Sequence, residues 1–339
     1  MSTKDKKKKS PHVGIILILT TSIFMIISLG AMTYLANYFV SADIQLTAEE
    51  NNHAITMQAA ETVENKLSSV RANSLLMLDL VNTTNTSGML LKQTTSFFFE
   101  RNPDVAAVII SGDKEFYNEG FFNSNEIEKQ SVQTFLEKND DKVKRTENGE
   151  AFVLNAAPDF ELPILALMMP WREGGQNQAV TVFFDSTSIT QAVSSGRSNL
   201  TFIVNDSADI LIHPDFELVE SGVNMSKLPL IGQMNKSAES NKEILFTNTD
   251  GKEYFGSFCK LSTSDVNIIT LLDKETVLRP ITYQTKKNFW LSLIILFASI
   301  LIMWIVSKAI KRAYKKAWES EQKTGGAKLG EEESSGNNS

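Results

Sequence analysis

Two long apolar runs constrain this chain more than any other feature. Residues Val13–Val40 hold no charged side chain over 28 positions, and a transmembrane helix needs about 20 apolar residues. A second uncharged run covers Phe289–Ser307, with Trp290 and Trp304 near its two ends, where aromatic side chains favour the membrane interface. The sequence therefore predicts two membrane-spanning helices, with most of the chain between them.

The first run also follows a basic N-terminus, as the apolar part of a secretory signal peptide does. It is longer than the roughly 7–15 residues usual for such a peptide, and Ala31-Met-Thr is a poor cleavage site, so we favour an uncleaved anchor. Basic residues flank the outer side of both runs, at Lys6–Lys9 and Lys308–Lys316. The positive-inside rule then predicts a multi-pass protein of the inner (cytoplasmic) membrane, with both termini cytoplasmic and residues 41–286 extracytoplasmic.

The composition argues against several functional classes. A net charge of −7 gives no indication of a nucleic-acid partner. Cys259 is the single cysteine, which excludes an intrachain disulfide and a cysteine-based metal cluster. His213-Pro-Asp215 has no second His or Cys near it in sequence, whereas zinc sites use three or four protein ligands, so a turn at a strand end is favoured. We expect no catalytic residue, no metal and no cofactor, and hence a protein that is not an enzyme.

The stretch after the first apolar run predicts a long helix, because residues 41–82 contain neither Pro nor Gly. Its apolar and small residues recur in alternating steps of four and three, which predicts one packing stripe. The stripe suits either a dimer stalk that carries a signal or a helix packed on its own sheet. After a polar break at 83–88, Met89–Glu100 predicts a second helix with Phe97–Phe99 as its core anchor. The stripe comprises Val63, Leu67, Val70, Ser74, Met77 and Val81.

Two groups of short β-rich segments follow, and they predict two antiparallel sheets of one plan. From Leu200 the second group has a helix around Leu228–Met234, an Asp250-Gly251 hairpin signal and a final strand Val266–Leu272. The predicted fold class is α+β, with two tandem PAS-like sheet modules on a long N-terminal helix and two flanking transmembrane helices. The first group has predicted strands Val105–Ser111, Glu115–Phe121, Phe152–Ala156, Ile164–Pro170 and Ala179–Asp185, helices Ser124–Asn139 and Ser186–Ser194, and a hairpin turn Trp171–Gln178.

The end of the chain predicts one more helix and a tail. Residues 274–322 can form a continuous helix in which Pro280 is the only breaker, and the Gly-, Ser- and Glu-rich residues 323–339 predict disorder. The segments we predict are a cytoplasmic basic N-terminus (1–12), transmembrane helix 1 (13–40), stalk and packing helices (41–100), a membrane-distal module (101–198), a membrane-proximal module (199–285), transmembrane helix 2 (286–308), and a basic juxtamembrane helix with a cytoplasmic tail (309–339).

The sequence resembles a known group of sensors. Over residues 45–285 it is similar to the extracytoplasmic double Cache domains of bacterial chemoreceptors, histidine kinases and class III adenylate cyclases, and the proximal module looks most like those of the cyclases. The resemblance implies a homodimer with a pocket for a small metabolite, often an amino acid, in the distal module. Its matching stretches include Asn102-Pro-Asp-Val-Ala-Ala-Val-Ile-Ile, Val182-Phe-Phe-Asp-Ser-Thr-Ser-Ile, Leu211-Ile-His-Pro-Asp and Asp250-Gly-Lys-Glu-Tyr-Phe-Gly-Ser-Phe.

The resemblance also suggests ligand-binding residues. Asp185 stands where the family uses an Asp to hold an amino group, although it also suits the start of the next helix, and we favour this role as a cap. The stretch 120–133 lacks the Arg, Trp and Tyr that amino-acid binders carry there. Tyr117, Trp171 and Arg172 are further candidates for the pocket lining, and each is as well suited to a surface or a turn.

These observations predict a membrane-anchored sensor without catalysis of its own. It would bind a small molecule and pass a signal to a separate or lost output domain, as an adenylate cyclase receptor without its cyclase would. The alternative is a non-signalling, membrane-tethered ligand-binding protein or a structural envelope protein. The expected partners are membrane lipid, a small metabolite, a second copy of the chain and a cytoplasmic signalling protein that meets the basic helix after Ser307.

Overall fold

A computed structural model describes residues 12–83, 88–173, 175–194, 198–262 and 264–335. The elements are α1 (His12–Thr83), α2 (Gly88–Arg101), β1 (Val105–Ile110), β2 (Glu115–Tyr117), α3 (Glu119–Ser124), α4 (Lys129–Lys138), α5 (Asp140–Glu147), β3 (Phe152–Asn155), α6 (Ala157–Phe160), β4 (Ile164–Glu173), β5 (Gln176–Asp185), α7 (Thr187–Val193), β6 (Asn199–Asn205), β7 (Ile210–Ile212), α8 (Phe216–Glu220), α9 (Pro229–Lys236), β8 (Asn241–Thr247), β9 (Glu253–Lys260), β10 (Val266–Asp273) and α10 (Lys274–Ser335).

The chain forms two units, of which the smaller combines residues 1–43 with residues 278–339. Both α1 and α10 contain a stretch long and apolar enough to cross a membrane. Within this unit the two helices contact each other through polar side chains. The Thr33 hydroxyl lies 3.3 Å from that of Ser292, and the Thr285 hydroxyl donates to the Asn37 side chain at 3.1 Å.

The last helix follows the sequence-based expectation at one place and departs from it at another. The expected continuous helix forms with Pro280 inside α10, although the missing N–H of Pro280 removes one helical hydrogen bond. The helix also continues to Ser335, where the composition from residue 323 onward predicts disorder. Ala327, Lys328 and Leu329 are good helix formers, and they follow directly on an already formed helix, which extends more easily than a new helix nucleates.

The larger unit, residues 44–277, holds two sheets with the same strand order. The first sheet runs β2-β1-β5-β4-β3 and the second runs β7-β6-β10-β9-β8, and all of the strand pairs in both are antiparallel. We call β1–β5 with α2–α7 the first module and β6–β10 with α8–α9 the second module. The predicted α+β class, with two antiparallel sheet modules of one plan on a long N-terminal helix, is confirmed.

The helix α1 packs on its own sheets. All six residues of the predicted stripe are buried, and the apolar members share one core cluster with residues of both sheets, such as Leu167 and Ile268. The favourable burial of apolar surface therefore ties both modules to one helix. The interpretation of the stripe as a packing face is confirmed, because these six side chains are buried within the chain's own fold.

Several boundaries in the first module were predicted wrongly. The return strand ends at Tyr117, because the Asn118 side chain accepts a hydrogen bond from the Phe121 N–H at 3.2 Å and starts α3. The strand β4 continues to Glu173 and β5 begins at Gln176. The turn between them is therefore much shorter than the expected 171–178. In the Phe97–Phe99 anchor, Phe98 and Phe99 are buried whereas Phe97 is exposed. Within the polar break predicted at 83–88, Thr83 ends α1 and Gly88 begins α2, whereas residues 84–87 lie outside the described residues.

The first sheet is covered on both faces. Alternate strand residues point to α1 or to the layer formed by α3, α4, α5 and α6, which gives two separate clusters. The second sheet repeats this plan, with α1 on one face and α9 on the other. The helices α5 and α6 were not predicted. Asp140 and Asp141 in the first turn of α5, with Lys144 and Arg145 in its last turn, are the charge signal that would have revealed it.

Candidate ligand groove on the first module

Of the four predicted site residues, Tyr117 lies in a surface groove. The groove has a volume of about 630 Å³ between α2 and α3, and we call it the α2–α3 groove. Three aromatic rings, Phe99, Tyr117 and Phe121, lie among polar side chains in its lining. A concave site with aromatic walls and a few polar groups is the usual form of a small-molecule site. The polar and charged side chains of its lining are Lys92, Thr95, Ser96, Glu100, Asn118, Glu119, Ser124 and Asn125.

The Tyr117 side chain is fixed on several sides. Its hydroxyl donates a 2.8 Å hydrogen bond to Glu115, and its ring meets the Phe122 ring edge-to-face at 5.3 Å. The Lys129 ammonium lies 4.5 Å from the ring centroid, a distance typical of a cation–π contact. Burial, together with the neighbouring Glu115 carboxylate, raises the pKa of Tyr117 to about 12. The hydroxyl therefore stays protonated and can act as a hydrogen-bond donor at any physiological pH.

Charges of both signs surround the groove. Lys92 and Glu100 lie on α2, and Glu119 lies on α3. The Lys129 ammonium donates to the Glu119 carboxylate at 2.8 Å, which holds one acidic group of the groove in place. Lys92 and Glu100 were missed by reasoning from the sequence, because they come from a different helix than Tyr117 and belong to no motif.

Trp171 and Arg172 lie away from this groove. Trp171 is buried in the cluster under α1, and its indole N–H donates to the Asp79 carboxylate at 3.1 Å. It faces α1, whereas Tyr117 packs against the cluster on the opposite face of the sheet. Arg172 is exposed near the end of β4. The structure therefore does not bring these two residues together with Tyr117.

Asp185 lies at the end of β5 and starts the next helix. Its carboxylate accepts a 2.7 Å hydrogen bond from the Thr187 N–H, the first residue of α7. Ser186 occupies the cap position, but its hydroxyl donates to the Pro163 carbonyl at 2.8 Å instead. This geometry agrees with the favoured role of Asp185 as a helix cap, because it satisfies an N–H that the helix leaves unpaired.

Aromatic side chains fill the space between the first sheet and its helical layer. The Phe183 ring on β5 lies 5.3 Å from the Phe135 ring of α4 and 5.2 Å from the Phe160 ring of α6. All three side chains are buried. Close-packed interiors leave few voids larger than a water molecule, so a ligand on this module meets a surface groove and not an internal pocket behind these rings.

The surroundings of His213 and Cys259 agree with structural roles for both residues. The His213 ring nitrogen Nδ1 accepts a 2.9 Å hydrogen bond from the Asp215 N–H, which forms a turn at the end of β7. Burial lowers the pKa of His213 and raises the pKa of the Cys259 thiol, because burial disfavours the charged form of each group. A neutral imidazole at a turn agrees with the interpretation of His213-Pro-Asp215 as the end of a strand.

Comparisons with known proteins identify the fold. Neither a protein-family model nor a curated protein sequence matches the chain. Among solved structures, the extracellular domain of soHK1S-Z6, described as a histidine kinase, is 15% identical with a TM-score of 0.52, covering 70% of this chain and 98% of that one. The periplasmic sensory domain of the Campylobacter jejuni chemoreceptor Tlp1 is 14% identical, with a TM-score of 0.48 and coverages of 70% and 99%. The ligand-binding domain of Mlp24, solved with asparagine, is 14% identical, with a TM-score of 0.47 and coverages of 72% and 99%.

Proposed function

We infer from the likeness to the soHK1S-Z6 extracellular domain that the chain carries an extracellular sensor domain of the double Cache type, and this inference is the premise for its function. We propose that the protein is a membrane-anchored extracytoplasmic sensor that binds a small polar metabolite in the α2–α3 groove and passes a signal across the membrane without catalysis of its own. The observation that supports this most is the likeness to the soHK1S-Z6 extracellular domain over 98% of that domain. The step from fold to function is an analogy, so it needs a direct test.

The chemistry of the groove suggests the class of ligand. Aromatic rings offer flat apolar walls, while Lys92 and Glu100 offer one charge of each sign on a single helix. A small zwitterion, such as an amino acid, carries the complementary pair of charges on a compact frame. We propose this class first and simple polyamines or carboxylates second, since each of these satisfies only one of the two charges.

A thermal-shift screen of the full chain in lipid nanodiscs tests the proposal. Amino acids, polyamines and small carboxylates are added singly, and the melting temperature is recorded. A ligand at about 100 times its Kd stabilises the folded state by about 2.7 kcal/mol, which raises the melting temperature by about 2–4 °C for each kcal/mol in a domain of this size. If no compound of the three classes shifts melting, the sensor proposal loses its basis.

Two variants separate the site from the function. Lys92→Gln with Glu100→Gln removes both charges that α2 contributes to the groove and should abolish the shift while the unliganded melting temperature stays nearly unchanged. Arg172→Gln, on an exposed residue outside the groove, is the matched control and should retain the full shift. A shift that survives the double substitution would place the ligand elsewhere on the protein and leave the sensor function intact.

The output side of the proposal concerns the basic part of α10. Its lysines and arginine suit contact with anionic lipid or with an acidic surface of a cytoplasmic signalling protein, and the likeness of the proximal sequence to cyclase receptors makes a cyclase the first class to test. Gln substitutions at all five positions should abolish co-purification of the partner from membranes, and unchanged co-purification would refute this role. The five residues are Lys308, Lys311, Arg312, Lys315 and Lys316.

A further inference from the structure

A carboxylate of the second module accepts a hydrogen bond from the edge strand of the first sheet. Asp265 lies just before β10, and its carboxylate accepts a 2.9 Å hydrogen bond from the backbone N–H of Val153 on β3. The strand β3 is the last strand of the first sheet. A second bond joins the same edge to the second module, because the Asn155 side-chain amide donates to the Val219 carbonyl at 2.6 Å.

The Val153 N–H needs this partner. An edge strand presents every second N–H outward, away from its neighbouring strand, and a buried N–H without an acceptor destabilises the folded state. Val153 is itself buried, and it belongs to the core cluster that also contains Val266 of β10. The hydrogen bond to Asp265 therefore lies at a packed contact between the two modules and reports directly on whether they are docked along β3.

The surroundings of Asp265 are unusual for a charged acceptor. Its backbone carbonyl accepts from the Asp206 N–H at 2.9 Å, which brings a second carboxylate from the turn after β6 close to it. The Asp206 carboxylate is held by the Asn267 side chain at 2.9 Å. Asp265 is half-buried whereas Asp206 is exposed, and the nearby like charge favours the protonated form of Asp265.

Two cations of α5 that interact electrostatically with Asp265 also have other partners. On α5, Lys142 lies 5.0 Å from the centroid of the Phe152 ring, and the Arg145 side chain donates to Glu150 at 3.0 Å. On α1, Arg71 is exposed and lines a cavity of about 100 Å³ that Val153 and Ser264 also line. Of these positive charges, Lys142 lowers the pKa of Asp265 from a distance and only partly offsets its burial.

Burial is the largest cause of a raised pKa at Asp265, and the Asp206 charge adds to it. The hydrogen bond from Val153 and the Lys142 charge act in the opposite direction, and the net result raises the pKa of Asp265 from 3.8 to about 6. A carboxyl that leaves this contact for water regains an ordinary pKa of about 3.9. The docked arrangement therefore binds a proton more tightly than an undocked one.

We propose that the contact between the two modules along β3 is linked to protons, so that uptake of a proton by Asp265 tightens docking and its release loosens the contact. A protonated carboxyl keeps its carbonyl oxygen as an acceptor, so the bond from Val153 survives protonation while the cost of burying a charged carboxylate between the modules disappears. This linkage between proton binding and docking does not depend on a ligand in the α2–α3 groove, because it involves only the contact between the two modules. It makes the double module responsive to external pH between about 4 and 6.

The sign of the effect follows from the direction of the shift. Because the docked state has the higher pKa, it holds more protons than the undocked state between the two pKa values. Docking is therefore favoured below the lower value and weakens as the pH rises through the higher one. Two pKa units correspond to a change of about 100-fold in the docking equilibrium, and we expect about 10- to 100-fold, because Asp206 stays near Asp265 in either state.

Hydrogen exchange of the full chain in nanodiscs tests this proposal. The protection factor of the Val153 amide is measured from pH 4 to pH 7.5, after correction for the intrinsic exchange rate at each pH. In the wild-type protein we expect protection to fall by about 10- to 100-fold as the pH rises across this range. Asp265→Asn, which is neutral at every pH and keeps an acceptor oxygen, should show high protection that does not depend on pH. Asp265→Ala should show low protection throughout.

Two further variants assign the titration to the carboxyl pair. Asp206→Asn removes the neighbouring charge and should move the midpoint of the wild-type profile to lower pH. Asp113→Asn, in the turn after β1, removes a carboxylate that pairs with Lys114 at 3.4 Å and should leave the profile unchanged. A flat wild-type profile, or an Asp265→Asn profile that still titrates like the wild type, would overturn the proposal.

Discussion

The two modules share a strand order but close their helical faces in different ways. In the first module, the rings of Phe135, Phe160 and Phe183 fill the layer between the sheet and α4–α6. In the second module, α9 approaches so closely that a Cβ on Gly256 would lie 2.7 Å from a methyl carbon of Leu230. Aromatic rings fill the helical layer of the first module, whereas in the second module the missing side chain of Gly256 lets Leu230 of α9 lie directly on β9.

The contact of α1 with the two sheets also differs. Against the first sheet it presents an apolar stripe that includes Met77 and the buried Ser74. Against the second it presents buried Asn52, whose side-chain amide donates to the Phe255 and Thr270 carbonyls at 3.3 and 3.4 Å. Apolar contact is not directional, but hydrogen bonds are. On the second sheet Asn52 therefore fixes the register of α1 with bonds to two neighbouring strands, whereas on the first sheet the bond from Trp171 to Asp79 supplements the apolar stripe.

The aromatic layer of the first module should be the most sensitive part of this comparison. Phe183→Ala leaves a cavity between α4 and α6 and should lower the free energy of unfolding by about 3–5 kcal/mol. The measurement is urea unfolding of the full chain in detergent, followed by circular dichroism. Phe97→Ala, on an exposed side chain of α2, is the control and should cost less than about 0.5 kcal/mol. Equal effects of the two substitutions would show that the layer is not closely packed.

The second-largest loss of unfolding free energy is expected at Asn52, which joins α1 to the second sheet. Asn52→Ala leaves the Phe255 and Thr270 carbonyls without their side-chain donor and removes the acceptor of the Asn199 amide, which donates to Asn52 at 2.7 Å. We expect a loss of about 2–3 kcal/mol in the free energy of unfolding. The neighbouring exposed Asn51 provides the matched control Asn51→Ala, expected to be near neutral. If Asn52→Ala is as mild as its control, the register of α1 depends on apolar contacts alone.

A substitution at the close contact between Gly256 and Leu230 in the second module should lower the free energy of unfolding less than Asn52→Ala does. Gly256→Ala forces the Leu230 and Phe246 side chains to move, since the new Cβ would lie 2.7 and 2.8 Å from them. Overpacking of this kind costs about 1–3 kcal/mol. A second substitution, Leu230→Ala, should partly rescue the Gly256→Ala variant, which a double-mutant cycle of unfolding free energies would reveal. Gly232→Ala in α9, with open space around its Cβ position, should be neutral or slightly stabilising, and an equal loss there would show that the space beside Gly256 is not what matters.

The smallest effect is expected at Ser74. Its hydroxyl is buried against the first sheet with no hydrogen-bond partner among the described residues. Ser74→Ala removes an unpaired polar group, so the free energy of unfolding should stay unchanged or rise by up to about 1 kcal/mol. The same urea titration measures it, and a clear loss of stability would mean that the hydroxyl has a partner after all.

Local patterns were sufficient for most of the fold. The six stripe residues of α1, the Asp250-Gly251 hairpin and the two groups of short strands all appear where the sequence predicts them, because periodicity and turn residues act over a few positions. The errors concern elements whose identity depends on neighbours. Glu115–Phe121 has the composition of a strand, yet Asn118 starts a helix there because its side chain caps Phe121.

Candidate site residues were harder to predict, because a site joins residues that are distant in the sequence. Asp185 met the sequence-based expectation of a cap, since capping is a local interaction. Tyr117 lies in a groove whose other wall, with Lys92 and Glu100, comes from α2, and its role in binding a ligand stays a prediction. Trp171 is an aromatic residue of the kind that often lines pockets. The Asp79 carboxylate and the core under α1 hold it on the face of the sheet opposite to Tyr117.

The sequence by itself determined that this chain carries two apolar helices around two sheet modules of one plan, because runs of apolar residues and alternating patterns are properties of the chain alone. Only the tertiary structure decided that Asp265 meets Val153, 112 positions away, and that Gly256 meets Leu230. These contacts depend on how one module packs on another and how a helix lies on a sheet. No local pattern encodes such distances, so the groove and the proton-linked contact became visible only in the folded molecule.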